Sequence, residues 1–72
     1  MYKKVVKIST EYITLGQFLK LADIIQSGGE AKSFLKDHVL IINNENENRR
    51  GRKLRDGDEI KYGQNAYVIV SE

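Results

Sequence analysis

Asn43 to Ile60 reads NNENENRRGRKLRDGDEI. This stretch decides the fold, because it holds two turn signals and the densest basic run in the chain. Asn43-Asn44 tolerates the positive φ angles of a two-residue hairpin turn. Asp56-Gly57-Asp58 marks a second turn. Between them, five of the seven residues from Arg49 to Arg55 are basic, interrupted only by Gly51 and Leu54. The upstream part of the chain reads as a strand and two short helices, and the downstream part as one closing strand.

Working backwards, Val39 to Ile42 is a short apolar run that its length and β-branching identify as a strand. Its return partner, Glu45 to Asn48, is wholly polar and gives only a weak strand signal. Upstream of it, Ala31, Phe34, Leu35 and His38 recur at helical spacing, with Lys32, Ser33 and Lys36 on the other side. Gly28-Gly29 breaks the chain before this helix, and Glu30 sits in its first turn, where the dipole favours an acid. Leu15, Phe18, Leu19 and Ala22 form a second apolar stripe, predicting a helix over 15–22. Thr14 and Gln17 have the spacing of a capping box. Thr10 to Thr14 reads as the lead-in to that helix, and Lys4 to Ser9 as the first strand. Working forwards, Glu59 to Tyr62 and Ala66 to Val70 are strands joined by a turn at Gly63-Gln64-Asn65. The expected class is α+β, in the order β-α-α-β-β-β-β, with a two-helix hairpin packed on a small, mostly antiparallel sheet.

Length and composition bound the function. A chain of 72 residues makes one domain, which buries only about 60% of its unfolded surface and has little room for an enclosed catalytic pocket. It contains no cysteine, so neither disulfides nor thiolate metal sites are expected. No apolar run is long enough to span a membrane, and the segment after Met1-Tyr2-Lys3-Lys4 is too short for a signal peptide. The expected address is cytoplasmic. The single histidine, His38, has no catalytic partner in the sequence and reads as a partly buried polar residue or a helix C-terminal cap. Asp56-Gly57-Asp58 lacks the remaining ligands of a calcium loop. No catalytic residue, metal or cofactor is expected.

The net charge is only +2, but it is unevenly placed. Three lysines fall in the first ten residues, the basic run spans Arg49–Arg55, and the tail after it is acidic. That distribution points to an oriented basic surface. Lys32 and Lys36 are four apart and share one helix face. A hairpin folding back on that helix would bring Arg49, Arg50, Arg52 and Lys53 to the same side. Arginine forks onto phosphate oxygens, and lysine acts there as a point charge. Tyr2, Tyr12, Tyr62 and Tyr67 lie outside the basic run, while Phe18 and Phe34 sit on the apolar stripes. This argues against a base-stacking platform and for recognition of a folded RNA by backbone and shape. The competing reading is a protein-interaction module whose basic surface docks an acidic protein.

Ser27-Gly28-Gly29-Glu30-Ala31, Phe34-Leu35, Val39 to Asn43 and Gly57-Asp58-Glu59-Ile60 together resemble the S4 RNA-binding domain. That family's landmarks are a Ser-Arg-x-x-Ala helix start, a Leu-Ile pair, a Val-x-Val-Asn-Gly hairpin and a closing Gly-Asp-x-Ile. The resemblance covers residues 13–61 and is similar in detail to the small stand-alone bacterial proteins of the YaaA/YbcJ type. Here Gly28 replaces the family arginine, Asn44 the turn glycine, and His38 a glycine before the strand. The resemblance implies a non-enzymatic, monomeric binder of structured RNA, either ribosomal or transfer RNA, linked to the ribosome or assembly of its large subunit. The implied contacts are Gln17 and Lys20 on the first helix, Ser27, Gly28 and Gly29 at the connector, and Lys32, Ser33 and Lys36 on the second helix. Asn43 and Asn44 at the turn and Arg49, Arg50, Arg52 and Lys53 in the basic run complete the set.

Overall fold

The computed structural model describes residues 3–72; Met1 and Tyr2, the latter one of the four tyrosines placed outside the basic run, lie outside the described residues. The α+β architecture expected from the sequence is the one observed. In chain order the elements are β1 (Lys4–Ile8), β2 (Tyr12–Thr14), α1 (Leu15–Leu21), a 3-10 turn (Gly28–Glu30), α2 (Ala31–Asp37), β3 (Leu40–Ile42), β4 (Glu45–Glu47), β5 (Lys53–Arg55), β6 (Glu59–Tyr62) and β7 (Asn65–Ser71). Five strands form one sheet in the order β1-β7-β6-β3-β4. The β1–β7 pair is parallel and the others are antiparallel.

Two strands go beyond the sequence expectation, which makes Tyr12–Thr14 a lead-in to the helix and Lys53–Arg55 part of a basic run. They pair instead with each other as a separate antiparallel ribbon, with Ile13 opposite Leu54. The reason is alternation: Ile13 and Leu54 are buried, whereas Tyr12, Lys53 and Arg55 are exposed. Period-two burial of one apolar residue per strand suffices when each neighbour is already anchored. Five of the eight stripe positions are buried as expected, while Ala22 and Phe34 are half-buried and His38 is exposed. Leu15, Phe18 and Leu19 from α1 and Ala31 and Leu35 from α2 are buried in one core with Leu40, Ile42, Ile60, Tyr67 and Ile69 from the inner face of the sheet. Phe18 meets Tyr67 edge to face, with ring centroids 5.2 Å apart. Each large side chain buried in this way contributes about 1.5–3 kcal/mol.

The turns are where the sequence placed them. Asn43 and Asn44 both have positive φ, 51° and 71°, and Ile42 faces Glu45 across the resulting two-residue hairpin. Gly57 has φ 88°, and its N–H donates to the carbonyl of Ile69 at 2.8 Å, tying the second turn to β7. His38 caps the C-terminus of α2, donating its N–H to the carbonyl of Phe34 at 2.9 Å. It is exposed rather than partly buried and stacks on the Phe34 ring. Among the described residues, no helix is long and apolar enough to cross a membrane.

Candidate nucleic-acid interface

The site is built around the loop between β4 and β5, and that loop is organised by Glu47. In the β3–β4 hairpin, Glu47 sits opposite Leu40, a fully buried core residue. An inward-facing position on this strand therefore carries a carboxylate that is only 7% exposed. A buried carboxylate is tolerated only if its oxygens are matched by donors. Both oxygens are matched. Arg49 donates Nε to one at 2.8 Å and Nη2 to the other at 3.1 Å, a two-point fork. Its backbone N–H adds a third bond at 3.2 Å, and Arg52 Nη1 a fourth at 2.8 Å. Hydrogen bonding from Arg49 is the main reason that the carboxyl falls from its ordinary 4.5 to about 2; Arg52 adds to the effect, and burial opposes it. The same pairing raises the Arg49 guanidinium above its ordinary value.

With Arg49 and Arg52 turned onto Glu47, the chain between them closes as a tight turn, Arg52 N–H donating to the carbonyl of Arg49 at 3.1 Å. Arg50 and Gly51 form its apex. This turn is bonded to the start of α1. Leu15 N–H donates to the carbonyl of Arg52 at 2.8 Å, and Gly16 N–H to that of Arg50 at 2.9 Å. Helix starts leave such N–H groups without partners, and here the loop supplies the acceptors. Thr14 and Gln17 complete the cap: Gln17 N–H donates to Thr14 Oγ1 at 3.2 Å, and Thr14 N–H to Gln17 Oε1 at 2.8 Å. The loop passes close to Gly16, where an added Cβ would lie 3.5 Å from Ala31 Cβ and 3.6 Å from the Arg50 carbonyl oxygen.

Arg50 is thereby held between the two helices. On one side, Lys32, Leu35, Lys36, Asn48 and Arg50 line a shallow open concavity of about 240 Å³. On the other, Thr14, Gly16, Gln17, Lys20, Gly28, Ala31, Arg50 and Gly51 line a second of about 450 Å³. Arg50 is common to both. The candidates Gln17, Lys20, Gly28, Lys32, Lys36 and Arg50 are therefore brought onto one face, and Asn48 and Gly51 join them. Ser27, Gly29 and Ser33 are exposed nearby in the chain but line neither depression. Ser27 Oγ donates to Glu30 at 3.4 Å.

The remaining candidates are used or placed differently. Arg49 and Arg52 hold Glu47, as described. Asn43 Nδ2 donates to Asp58 at 3.1 Å, and its Oδ1 accepts the Glu59 N–H at 3.0 Å, which locks the hairpin turn to the turn before β6. Asn44 lies beside it with Ile41, Glu59 and Lys61, in a separate depression. Lys53 is exposed on β5 and sits over the ring of Tyr12, 4.9 Å from its centroid.

This framework, an αα-hairpin with a basic loop bonded to the first helix, is matched over most of its length by a family profile, that of the S4 domain, at residues 6–70. The chain belongs to the S4 domain family. This S4 domain is 62% identical over 67 residues to a protein of Bacillus subtilis (strain 168) named probable ribosome maturation protein RlbA. The alignment covers 92% of this chain and 94% of that protein.

Sequence reasoning missed the buried Glu47 that organises this S4 domain's basic loop and the exposed Tyr12 beside Lys53 and Arg55. The signal for Glu47 was its place in the hairpin register: counting outward from a two-residue turn at Asn43-Asn44 puts it opposite Leu40. For Tyr12 it was the alternation of Tyr12-Ile13-Thr14 and Lys53-Leu54-Arg55, which pairs Tyr12 with Arg55.

Proposed function

We propose that this S4 domain is a non-enzymatic binder of structured ribosomal RNA that acts in the cytoplasm, as a monomer, during maturation of the large ribosomal subunit. The observation that carries the proposal is the convergence of Lys20, Lys32, Lys36 and Arg50 on two adjoining depressions. Both are open and shallow, shaped for a polyanion's backbone rather than for a small substrate. Exposed cations displace condensed counterions from phosphates, and this term dominates such affinities. The name of the Bacillus relative supports ribosome maturation as the setting.

Arg50 and Lys32 are the residues to test. Reversing Arg49 or Arg52 would also strip Glu47 of its partners and mix folding with binding. An Arg50→Glu/Lys32→Glu variant leaves every hydrogen-bonded side chain of the loop in place. In filter binding to deproteinised large-subunit ribosomal RNA, it should lose at least about tenfold in affinity with an unchanged circular-dichroism spectrum. Lys4→Glu, on the strand at the opposite edge of the sheet, serves as the control for charge reversal away from the site, to be compared with the single Arg50→Glu and Lys32→Glu variants. Equal affinity of the double variant and the wild type would refute the reading. If the wild type ignores RNA but retains an acidic protein from nuclease-treated extract, the surface is a protein-docking module instead.

A further inference from the structure

The concave surface does not end at α1. Thr14 and Gln17 also line a third depression, of about 640 Å³, that continues past them to Leu21, Tyr12 and Lys7. Tyr12 is 38% exposed on the outer face of the β2–β5 ribbon. Two cations approach its ring, Lys53 at 4.9 Å and Arg55 at 5.3 Å from the centroid. The Arg55 guanidinium is otherwise held by an exposed bond of 3.2 Å to Glu11, whose side chain is 84% exposed, and such surface pairs contribute little. Neither cation is committed to the fold. An exposed aromatic ring flanked by two loosely held cations, in a depression that adjoins the basic face through Thr14 and Gln17, has the composition of a single-strand nucleotide site: the ring takes the base and the cations take its phosphates.

We infer that Tyr12, with Lys53 and Arg55, stacks an unpaired nucleotide of the bound RNA, next to the segment whose backbone lies across Lys20, Lys32, Lys36 and Arg50. This inference rests on the RNA-binding reading and extends it from shape recognition to recognition of a junction between paired and unpaired RNA. Stacking on the ring requires Lys53 and Arg55 to swing from Tyr12 onto the flanking phosphates, and their exposed positions allow it. The hydroxyl plays no part in stacking, so any aromatic residue should serve.

Three variants at this position test it, with deproteinised large-subunit ribosomal RNA as the probe. Tyr12→Ala should weaken binding about 5- to 150-fold, the range that loss of one stacked base gives. It should leave the salt dependence unchanged, because no cation is removed. Tyr12→Phe should bind as the wild type does. Tyr12→Trp should also bind, and because the chain has no other tryptophan, its emission should be quenched as RNA saturates. Wild-type affinity in Tyr12→Ala, or unquenched emission from saturated Tyr12→Trp, would overturn the inference. The Arg50→Glu/Lys32→Glu variant separates the two failures. If it loses binding while Tyr12→Ala does not, the RNA-binding reading stands and the stacking site falls; if the wild type does not bind the RNA, both fall.

Discussion

Replacing Glu47 by Gln removes one charge from the inner side of the sheet while keeping the side chain's shape. The fall of the Glu47 carboxyl from 4.5 to about 2 corresponds to at most about 3–4 kcal/mol of stability, at ~1.4 kcal/mol for each tenfold change. Solvent reduces that, since the Arg49 side chain is 74% exposed and that of Arg52 26%. The expected loss is about 1–2 kcal/mol. For a domain of this size each kcal/mol lowers the melting temperature by about 4–8 °C, so thermal melts at neutral pH should separate wild type and variant by about 5–15 °C. The direction with pH comes from linkage. The folded chain holds its Glu47 proton less tightly than the unfolded chain does, so the stabilisation is complete above about pH 4.5 and disappears as pH falls towards about 2. The gap between wild type and Glu47→Gln should therefore shrink by more than half by about pH 3. A gap that persists at about pH 2, or no gap at neutral pH, would refute the account of Glu47 as the charged centre of the loop.

Leu54 is fully buried at the middle of β5, so Leu54→Ala should cost about 2–5 kcal/mol in urea unfolding, because it frees the β2–β5 ribbon from the core. Thr14→Ala, which removes one half of the capping box, should cost about 1 kcal/mol in the same assay. Gly16→Ala places a methyl at ordinary contact distance from Ala31 and Arg50 and should stabilise by up to about 1 kcal/mol; a loss instead would show that the loop cannot yield at all. The logarithm of RNA affinity plotted against that of salt concentration should have a slope of about −3 to −4 for the four groove cations and about −4 to −5 with Lys53 and Arg55 on phosphates as well, and Arg50→Ala should flatten it by about one contact.

Most of the framework was legible because each element carried its own local signal. The two helix stripes, the capping box at Thr14 and Gln17, the Asn43-Asn44 turn and the Gly57 turn depend on residues close in sequence. What escaped reading depended on register between distant segments. Glu45 to Asn48 gives a weak return-strand signal that the hairpin bears out, but the role of Glu47 is seen only when it is placed opposite Leu40 and given Arg49 and Arg52 as partners. Leu54 looks like a break in a charge run until Ile13 is seen across from it. The same long-range pairing moved Tyr12, which is distant in sequence from the arginines, to within reach of Lys53 and Arg55. Charge counting likewise gave Arg49, Arg50 and Arg52 equal weight, since a sequence does not show which arginine a nearby carboxylate takes.

The arrangement of that run explains why its arginines should not be interchangeable. Arg49 and Arg52 converge on one nearly buried carboxylate, and this fixes the ends of a four-residue turn. The backbone of the turn is fixed as well, because the Arg50 and Arg52 carbonyls accept the first N–H groups of α1. With both ends and the backbone held, Arg50 at the apex is the arginine directed to the gap between α1 and α2. Lowering the entropy of a long cationic side chain's anchor raises what a phosphate contact gains when it forms. The buried ion pairs at Glu47 thus connect stability to the binding face: they add only modestly to the fold, but they fix the ends of the turn that presents Arg50.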